Sequence, residues 1–231
     1  VFLVFDAYGT LVELDDFYGR LQRGFSQRGA NLSLDVVTRS AHREMRHYIA
    51  QAVHASDATS HAVLHRECGQ IIFDALSEQA PTFALDLDAV EDVLRESVVF
   101  RAFSETHATL EKLAARGIEM GIASNWDYSL AQHLETLGIA HYFRFVLSSA
   151  NLGVEKPAPE FFDAVRSAVG NTPATYIGDH YEKDVLPSRA AGFDALWLVR
   201  EERDLPSGET SQADGIVPLR SLEDIFTRLR L

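Results

Sequence analysis

Four short stretches of this 231-residue chain place polar or charged side chains directly after apolar runs or at a helix start, where a fold can bring them together. In VFLVFDAYGTL, the apolar run stops at Asp6 and continues through Tyr8, Gly9 and Thr10. A carboxylate there either bonds to turn amides or serves as a nucleophile that forms a covalent ester or acyl phosphate. Gly9 suits a tight turn, and Thr10 brings a hydroxyl to the same opening. GIASNWDYSL follows the same design, ending at Ser124 and Asn125 with a helix expected from about Asp127. Such an end is either an N-cap or a seat for a phosphate or carboxylate. Trp126 is then a pocket wall or a packing residue.

In GVEKPAPEFF, Lys156 precedes Pro157, which suits a first helical turn. A lysine fixed there is either solvated surface or a counter-charge for a carboxylate nucleophile and a transferring group. YIGDHYEKDVLPSRAAG sets Asp179 after an apolar run and Asp184 five residues on. With Asp6 they form a carboxylate cluster that repels itself unless a cation or proton holds it. A hard, oxygen-ligated ion, Mg²⁺, is the natural partner. His180 and Tyr181 follow in the crevice loop as candidates for substrate contact. His47, His54 and His61 recur every seven residues and His61 and His65 are four apart, a spacing for a transition metal, but with no Cys or acid beside them they read as a solvated face.

These residues need a scaffold of buried strands ending at one edge. From about residue 100, helical stretches alternate with the apolar runs IEMGIAS, FRFVLSS, ATYIGD and DALWLV. That alternation predicts an α/β fold, a Rossmann-like parallel sheet with helices on both faces, whose ligands bind at the carboxyl ends of the strands. Residues 15–98 carry helical spacing instead: Phe17, Leu21 and Phe25; Val37, Ala41, Tyr48 and Ala52; Leu64, Cys68, Ile71, Ile72 and Leu76. About four helices are expected, broken at RGANLS, ASDATS and QAPTFALD, with Ser33, Ser56 and Asp86 or Asp88 as N-caps. The predicted organisation is a core of residues 1–14 and 99–231 and a helical insertion, 15–98. REERDLPSGETSQAD reads as a surface loop, followed by a short strand, GIVPL, and a helix capped by Ser221.

Taken in order, Asp6-Ala7-Tyr8-Gly9-Thr10, Ser124-Asn125, Lys156-Pro157 and Gly178-Asp179 with Asp184 resemble the haloacid dehalogenase superfamily of hydrolases. The insertion resembles that superfamily's helical cap, which would set substrate choice. The resemblance implies Asp6 as nucleophile, Thr10 and Ser124 as ligands of the transferred group, and Lys156 as charge stabiliser. It implies Asp6, Asp179, Asp184 and the Tyr8 carbonyl as Mg²⁺ ligands; Tyr8, Ser124, Asn125, Trp126 and His180, by their places after the strand ends, are expected near the substrate. Phosphatases of the superfamily usually carry a second Asp where this chain has Tyr8. FDAYGTL looks more like the 2-haloacid dehalogenases, which work without metal and whose early arginine has candidates in Arg20, Arg39 and Arg43; Asp179 looks like the phosphatases. The expected function is a Mg²⁺-dependent phosphatase of a small anionic metabolite. Metal-independent dehalogenation and a non-catalytic phospho-ligand or protein-binding module are the alternatives.

Composition agrees with this class. A net charge of −13 and the lack of a Lys/Arg cluster argue against nucleic-acid binding. Cys68 is the only cysteine, so no internal disulfide forms and a cytoplasmic setting is expected. No apolar run reaches the length of a membrane span, and the opening segment has no basic stretch before a long apolar one, as a signal peptide does. The chain opens on Val1 rather than Met, which leaves room for native residues ahead of it. Nothing in the pattern fixes an oligomeric state.

Overall fold

The computed structural model describes residues 1–200 and 217–231. The chain forms two compact units, Val1–Glu13 with Ala102–Leu231, and Leu14–Arg101.

The first unit opens on β1 (Phe2–Phe5), all four of whose residues are fully buried. Successive strand residues point to opposite faces, so both faces of β1 are covered, as expected of a central strand in a parallel sheet. The chain leaves through β2 (Val12–Leu14), a short strand that the sequence reading did not separate from the first run.

Helices α1 (Phe17–Gln27), α2 (Leu34–Gln51), α3 (Ala58–Gln79) and α4 (Leu87–Ser97) build the second unit. Phe17, Leu21, Phe25, Val37, Ala41, Leu64, Cys68, Ile72, Leu76, Val90, Val93 and Leu94 pack together in its core, with Tyr48 at the margin. The three breaks fall where the composition places them. Ser33 and Asp86 cap their helices by accepting from Val36 N and Ala89 N. At α3 the cap is Asp57 rather than Ser56, because Asp57 and Ser60 close a reciprocal capping box. Arg20, Arg39 and Arg43 all belong to this unit, and each pairs with a carboxylate inside it: Asp15, Asp35 and Glu78.

The chain returns through β3 (Phe100–Ala102), which pairs with β2, and continues as α5 (Thr106–Ala115), β4 (Glu119–Ser124), α6 (Leu130–Thr136), β5 (Phe143–Ser148), the short α7 (Ser149–Leu152), α8 (Pro159–Val169), β6 (Ala174–Gly178), α9 (Leu186–Ala190) and β7 (Asp194–Trp197). The sheet order is β5-β4-β1-β6-β7 with every pairing parallel. Phe161, Phe162, Val165 and Val169 of α8 cover one face, against Phe2, Val4, Ala123 and Tyr176. This is the doubly wound α/β architecture predicted from the alternation.

Three local expectations change. The helix after Ser124 begins at Leu130, not near Asp127, because the Asp127 carboxylate accepts from Ser129 N and Oγ and holds an intervening turn. Pro159, rather than Pro157, opens α8. The last helix, Asp224–Leu229, has Glu223 as its cap residue; Ser221 Oγ accepts from Glu223 N in the turn ahead of it. Of GIVPL, Gly215 and Ile216 lie outside the described residues, and Leu219 bridges Leu198. Positions 201–214 of the expected surface loop also lie outside them. Among the described residues, no helix is long and apolar enough to cross a membrane.

Candidate active site

Strands β4, β1 and β6 are neighbours in the sheet, so the polar residues that end their apolar runs, Ser124, Asp6 and Asp179, stand side by side at its carboxyl edge. Asp6 continues the ladder past β1, its amide donating to Ile177 O at 2.8 Å, and is buried. The turn behind it is closed by Leu11 N and Val12 N, both donating to Ala7 O. Gly9 sits in this turn at φ +76°, and a Cβ there would lie 2.2 Å from Asp179 Oδ2. Glycine therefore lets the turn approach the carboxylate, and the Thr10 hydroxyl reaches Asp179 Oδ1 at 3.4 Å.

Lys156 enters from the segment before α8 and is buried. Its ammonium lies 2.6 Å from Asp184 Oδ1, with hydrogen-bond geometry, and 2.8 Å from Asp6 Oδ1. The second contact is off-line for a hydrogen bond and acts as an ion pair, which leaves the lone pairs of that Asp6 oxygen without a donor among the described residues. The lysine backbone is held by Asn125, which donates from Nδ2 to Lys156 O at 3.0 Å and accepts from Lys156 N at 2.8 Å. Asn125, expected near the substrate, is thus committed to Lys156. Behind the ammonium lies Tyr176, fully buried, whose hydroxyl donates to Ala123 O at 2.6 Å.

Asp184 arrives on a single π-helical turn, Tyr181–Val185, where Leu186 N donates back to Tyr181 O. Its Oδ2 accepts from His180 N at 2.9 Å. Gly178 permits this approach, since a Cβ there would meet Asp184 Cγ at 2.4 Å. Trp197 Nε1 donates to Asp179 O and anchors the other end of the loop.

Asp6, Asp179 and Asp184 each offer an oxygen within 4.8 Å of the others. Burial pushes the Asp179 carboxyl up to about 8, and the charges of Asp6 and Asp184 push it the same way. Burial raises Asp184 too, with Lys156 opposing and Asp6 adding. Burial works to lower Lys156, but Asp184 and Asp6 outweigh it and hold the ammonium well above its usual range. Among the described residues, the Lys156 ammonium faces two buried carboxylates and a half-buried third, and the donors are all hard oxygens, so a divalent cation fits this site on both charge and chemistry.

The remaining expected residues are less central. Tyr8 is 46% exposed. The His180 side chain is exposed as well, and its main chain serves Asp184. Trp126 is buried against His133, its amide donating to Ser149 Oγ. Among the described residues, the clustered metal-ligating groups are these three aspartates, and the histidines of the helical unit form no such group.

A family model for haloacid dehalogenase-like hydrolases matches residues 2–192. The chain belongs to that family. Among its relatives are haloacid dehalogenase-like hydrolase domain-containing protein 3 of Danio rerio, 32% identical over 57% of this chain and 54% of that protein, and a phosphoserine phosphatase of Thermus thermophilus, 31% identical over 68% of this chain and 63% of that one. The chain thus spans less than two thirds of the curated relatives it matches. Among solved structures, a dehalogenase with an intermediate complex superposes with a TM-score of 0.68 at 20% identity, covering 98% of this chain and 96% of that one. The magnesium-bound YfnB of Bacillus subtilis gives 0.68 at 18% identity, over 99% and 98%.

Sequence reasoning missed Arg200. Its Nε donates to Gly9 O at 3.1 Å and its Nη2 to Thr10 O at 2.7 Å. The signal was present, because Arg200 ends the apolar run DALWLV just as Asp6, Ser124 and Asp179 end theirs.

Proposed function

We propose that the protein is a Mg²⁺-dependent phosphatase of a small, anionic phosphorylated metabolite, acting through an aspartyl-phosphate on Asp6. Charge balance carries this reading. Three carboxylates lie within 4.8 Å of one another and the one buried ammonium pairs with only two of them, Asp6 and Asp184, an arrangement whose like charges repel unless a further cation joins them. Relatives named phosphoserine phosphatase and glyceraldehyde 3-phosphate phosphatase, the latter 31% identical over 46% of this chain and 50% of that one, support the same chemistry.

In this reading an Asp6 oxygen attacks phosphorus as the bond to the leaving oxygen breaks. Water then attacks the aspartyl-phosphate, releasing phosphate and restoring the carboxylate, with one water proton ending on the alcohol. Lys156 pairs with the Asp6 carboxylate and offsets the charge of the transferring group. Thr10 and Ser124 bind its oxygens. Asp6, Asp179, Asp184 and the Tyr8 carbonyl would hold Mg²⁺, which supplies further neutralisation of phosphoryl charge. Tyr8 in place of a second carboxylate removes a general acid worth 10²–10⁴ in rate, so leaving groups that depart without protonation are favoured. The helical unit acts as the cap that sets substrate choice, with His180 at the substrate, and the enzyme works in the cytoplasm with Cys68 as a free thiol.

Tyr8 also favours a second reading, in which Asp6 attacks the halogen-bearing carbon of a 2-haloacid and halide leaves without a proton. Release of phosphate from p-nitrophenyl phosphate, with Mg²⁺ or EDTA, beside halide release from 2-chloropropionate, separates the two. Mg²⁺-dependent phosphate release abolished by Asp6→Asn is expected; halide release indifferent to EDTA would replace the phosphatase reading with the second.

A further inference from the structure

Three successive carbonyls of the turn after Asp6 are held from outside it. Arg200 takes Gly9 O and Thr10 O, while Leu11 O accepts from Phe103 N at 3.1 Å and from Thr106 Oγ1 at 2.9 Å. The Gly9 carbonyl belongs to the peptide before Thr10, and the Thr10 carbonyl to the peptide after it. Because each peptide is planar, tying both to one rigid guanidinium fixes the φ and ψ of Thr10 and therefore the direction of its side chain. The guanidinium is itself fixed. Its Nη1 pairs with the Glu105 carboxylate, and its Cζ lies 3.5 Å from the Phe103 ring centroid. The side chains of Arg200 and Glu105 are only 19% and 15% exposed, so water screens this pair far less than a surface one. Burial works to raise the Glu105 carboxyl, yet Arg200, a backbone amide and the Ser104 hydroxyl together hold that group below its usual range.

We propose that Arg200 is a positioning residue for the Asp6 centre, its guanidinium setting the Thr10 backbone so that the Thr10 hydroxyl faces the group Asp6 receives. The inference rests on the phosphatase reading for what is transferred, and on geometry alone for the clamp. Lysine cannot replace Arg200, since a point charge on a flexible stem does not reproduce the two fixed donors.

The test is turnover of p-nitrophenyl phosphate by Arg200→Ala and Arg200→Lys in the native and Thr10→Ala backgrounds, with hydrogen exchange of the full chain over residues 6–13. Displacement of a reacting group by a fraction of an ångström to 1 Å predicts a kcat about 30-fold lower in either Arg200 variant, with KM within about threefold. In the Thr10→Ala background the same changes should cost less than about threefold, because coupled residues are not additive. The amides of Leu11 and Val12 should exchange about tenfold faster in both variants, while those of β4 do not change. Equal losses in the two backgrounds, or native exchange across the turn, would overturn the proposal. Should the native protein release no phosphate, the phosphatase reading fails on its own and hydrogen exchange decides the role of Arg200. Should Arg200→Ala not fold, Arg200→Lys, which keeps a charge for Glu105, carries the exchange comparison.

Discussion

Asn125 grips Lys156 from both sides of its main chain, one amide giving a hydrogen bond to the carbonyl and accepting one from the N–H. The lysine's reach to Asp6 and Asp184 starts from a backbone fixed by a neighbouring strand end. Asn125→Ala removes both bonds, worth on the order of 1–3 kcal/mol together, and should lower kcat about 10- to 100-fold with little change in KM. Asn125→Asp should not rescue it, because a carboxylate cannot donate to Lys156 O. Steady-state kinetics beside circular dichroism checks this; a folded Asn125→Ala enzyme with native kcat contradicts it.

Gly9→Ala should inactivate without unfolding. The added Cβ at φ +76° would overlap the Asp179 carboxylate, a backbone strain of about 1–3 kcal/mol placed where Thr10 and Asp179 meet. The expected outcome is a loss of phosphate release of about 100-fold or more, with a thermal midpoint lowered by only several degrees.

The carboxylate cluster should make the protein's stability respond to Mg²⁺. A ligand at ten times its dissociation constant adds about 1.4 kcal/mol to the folded state. Differential scanning fluorimetry should therefore show a midpoint raised by a few degrees in Mg²⁺ and returned by EDTA. Asp184→Asn should remove the response. A shift of the same size in Asp184→Asn would place the ion elsewhere.

Glu44 gives the helical unit a pH dependence of its own. It is buried among Tyr18 of α1, His47 of its own helix and Cys68 of α3, and burial pushes its carboxyl up to about 7, with Cys68 and His47 opposing. A carboxyl raised in the folded state keeps its proton there after the unfolded chain has lost it. Stability is thus highest below about pH 4.5 for this group and falls as pH rises to about 7, by up to about 3 kcal/mol. Urea titrations at pH 5 and pH 8 should show Glu44→Gln losing less stability over that interval than the native chain. Equal slopes would mean that Glu44 is ionised in the folded protein.

One reading rule, a polar residue closing a buried apolar run, was enough to find Asp6, Ser124 and Asp179, because strand ends of a parallel sheet share one edge. The helices of the inserted unit were legible for a similar reason, their apolar spacing being local. What stayed hidden depends on contacts distant in sequence or on atypical turns. Asn125 looked available for substrate until its partner 31 residues away was seen. Arg200 looked like the start of a polar loop although its partners lie 190 and 191 positions earlier. Asp184 faces Lys156 only because one helical turn is widened by a residue, which composition does not announce. The turn at Asp127 replaced an expected helix start because Ser129, two residues on, offers two donors to one carboxylate.

The place of β1 in the sheet has a consequence for how the protein is made. Phe2–Phe5 pair on one side with Glu119–Ile122 and on the other with Ala174–Ile177. The strand that leads to the nucleophile is made before both of its partners, and the second of them emerges from the ribosome about 170 residues later. Until β4 has emerged a fully apolar segment has no strand to pair with, and until β6 follows one of its edges stays open, the hazard of long-range parallel pairing. The helical unit, contiguous from Leu14 to Arg101, has its own core within reach long before. The helical unit thus has all its core residues available before either partner of β1 is made, and Asp6 reaches its place only when β4 and β6 have paired with β1.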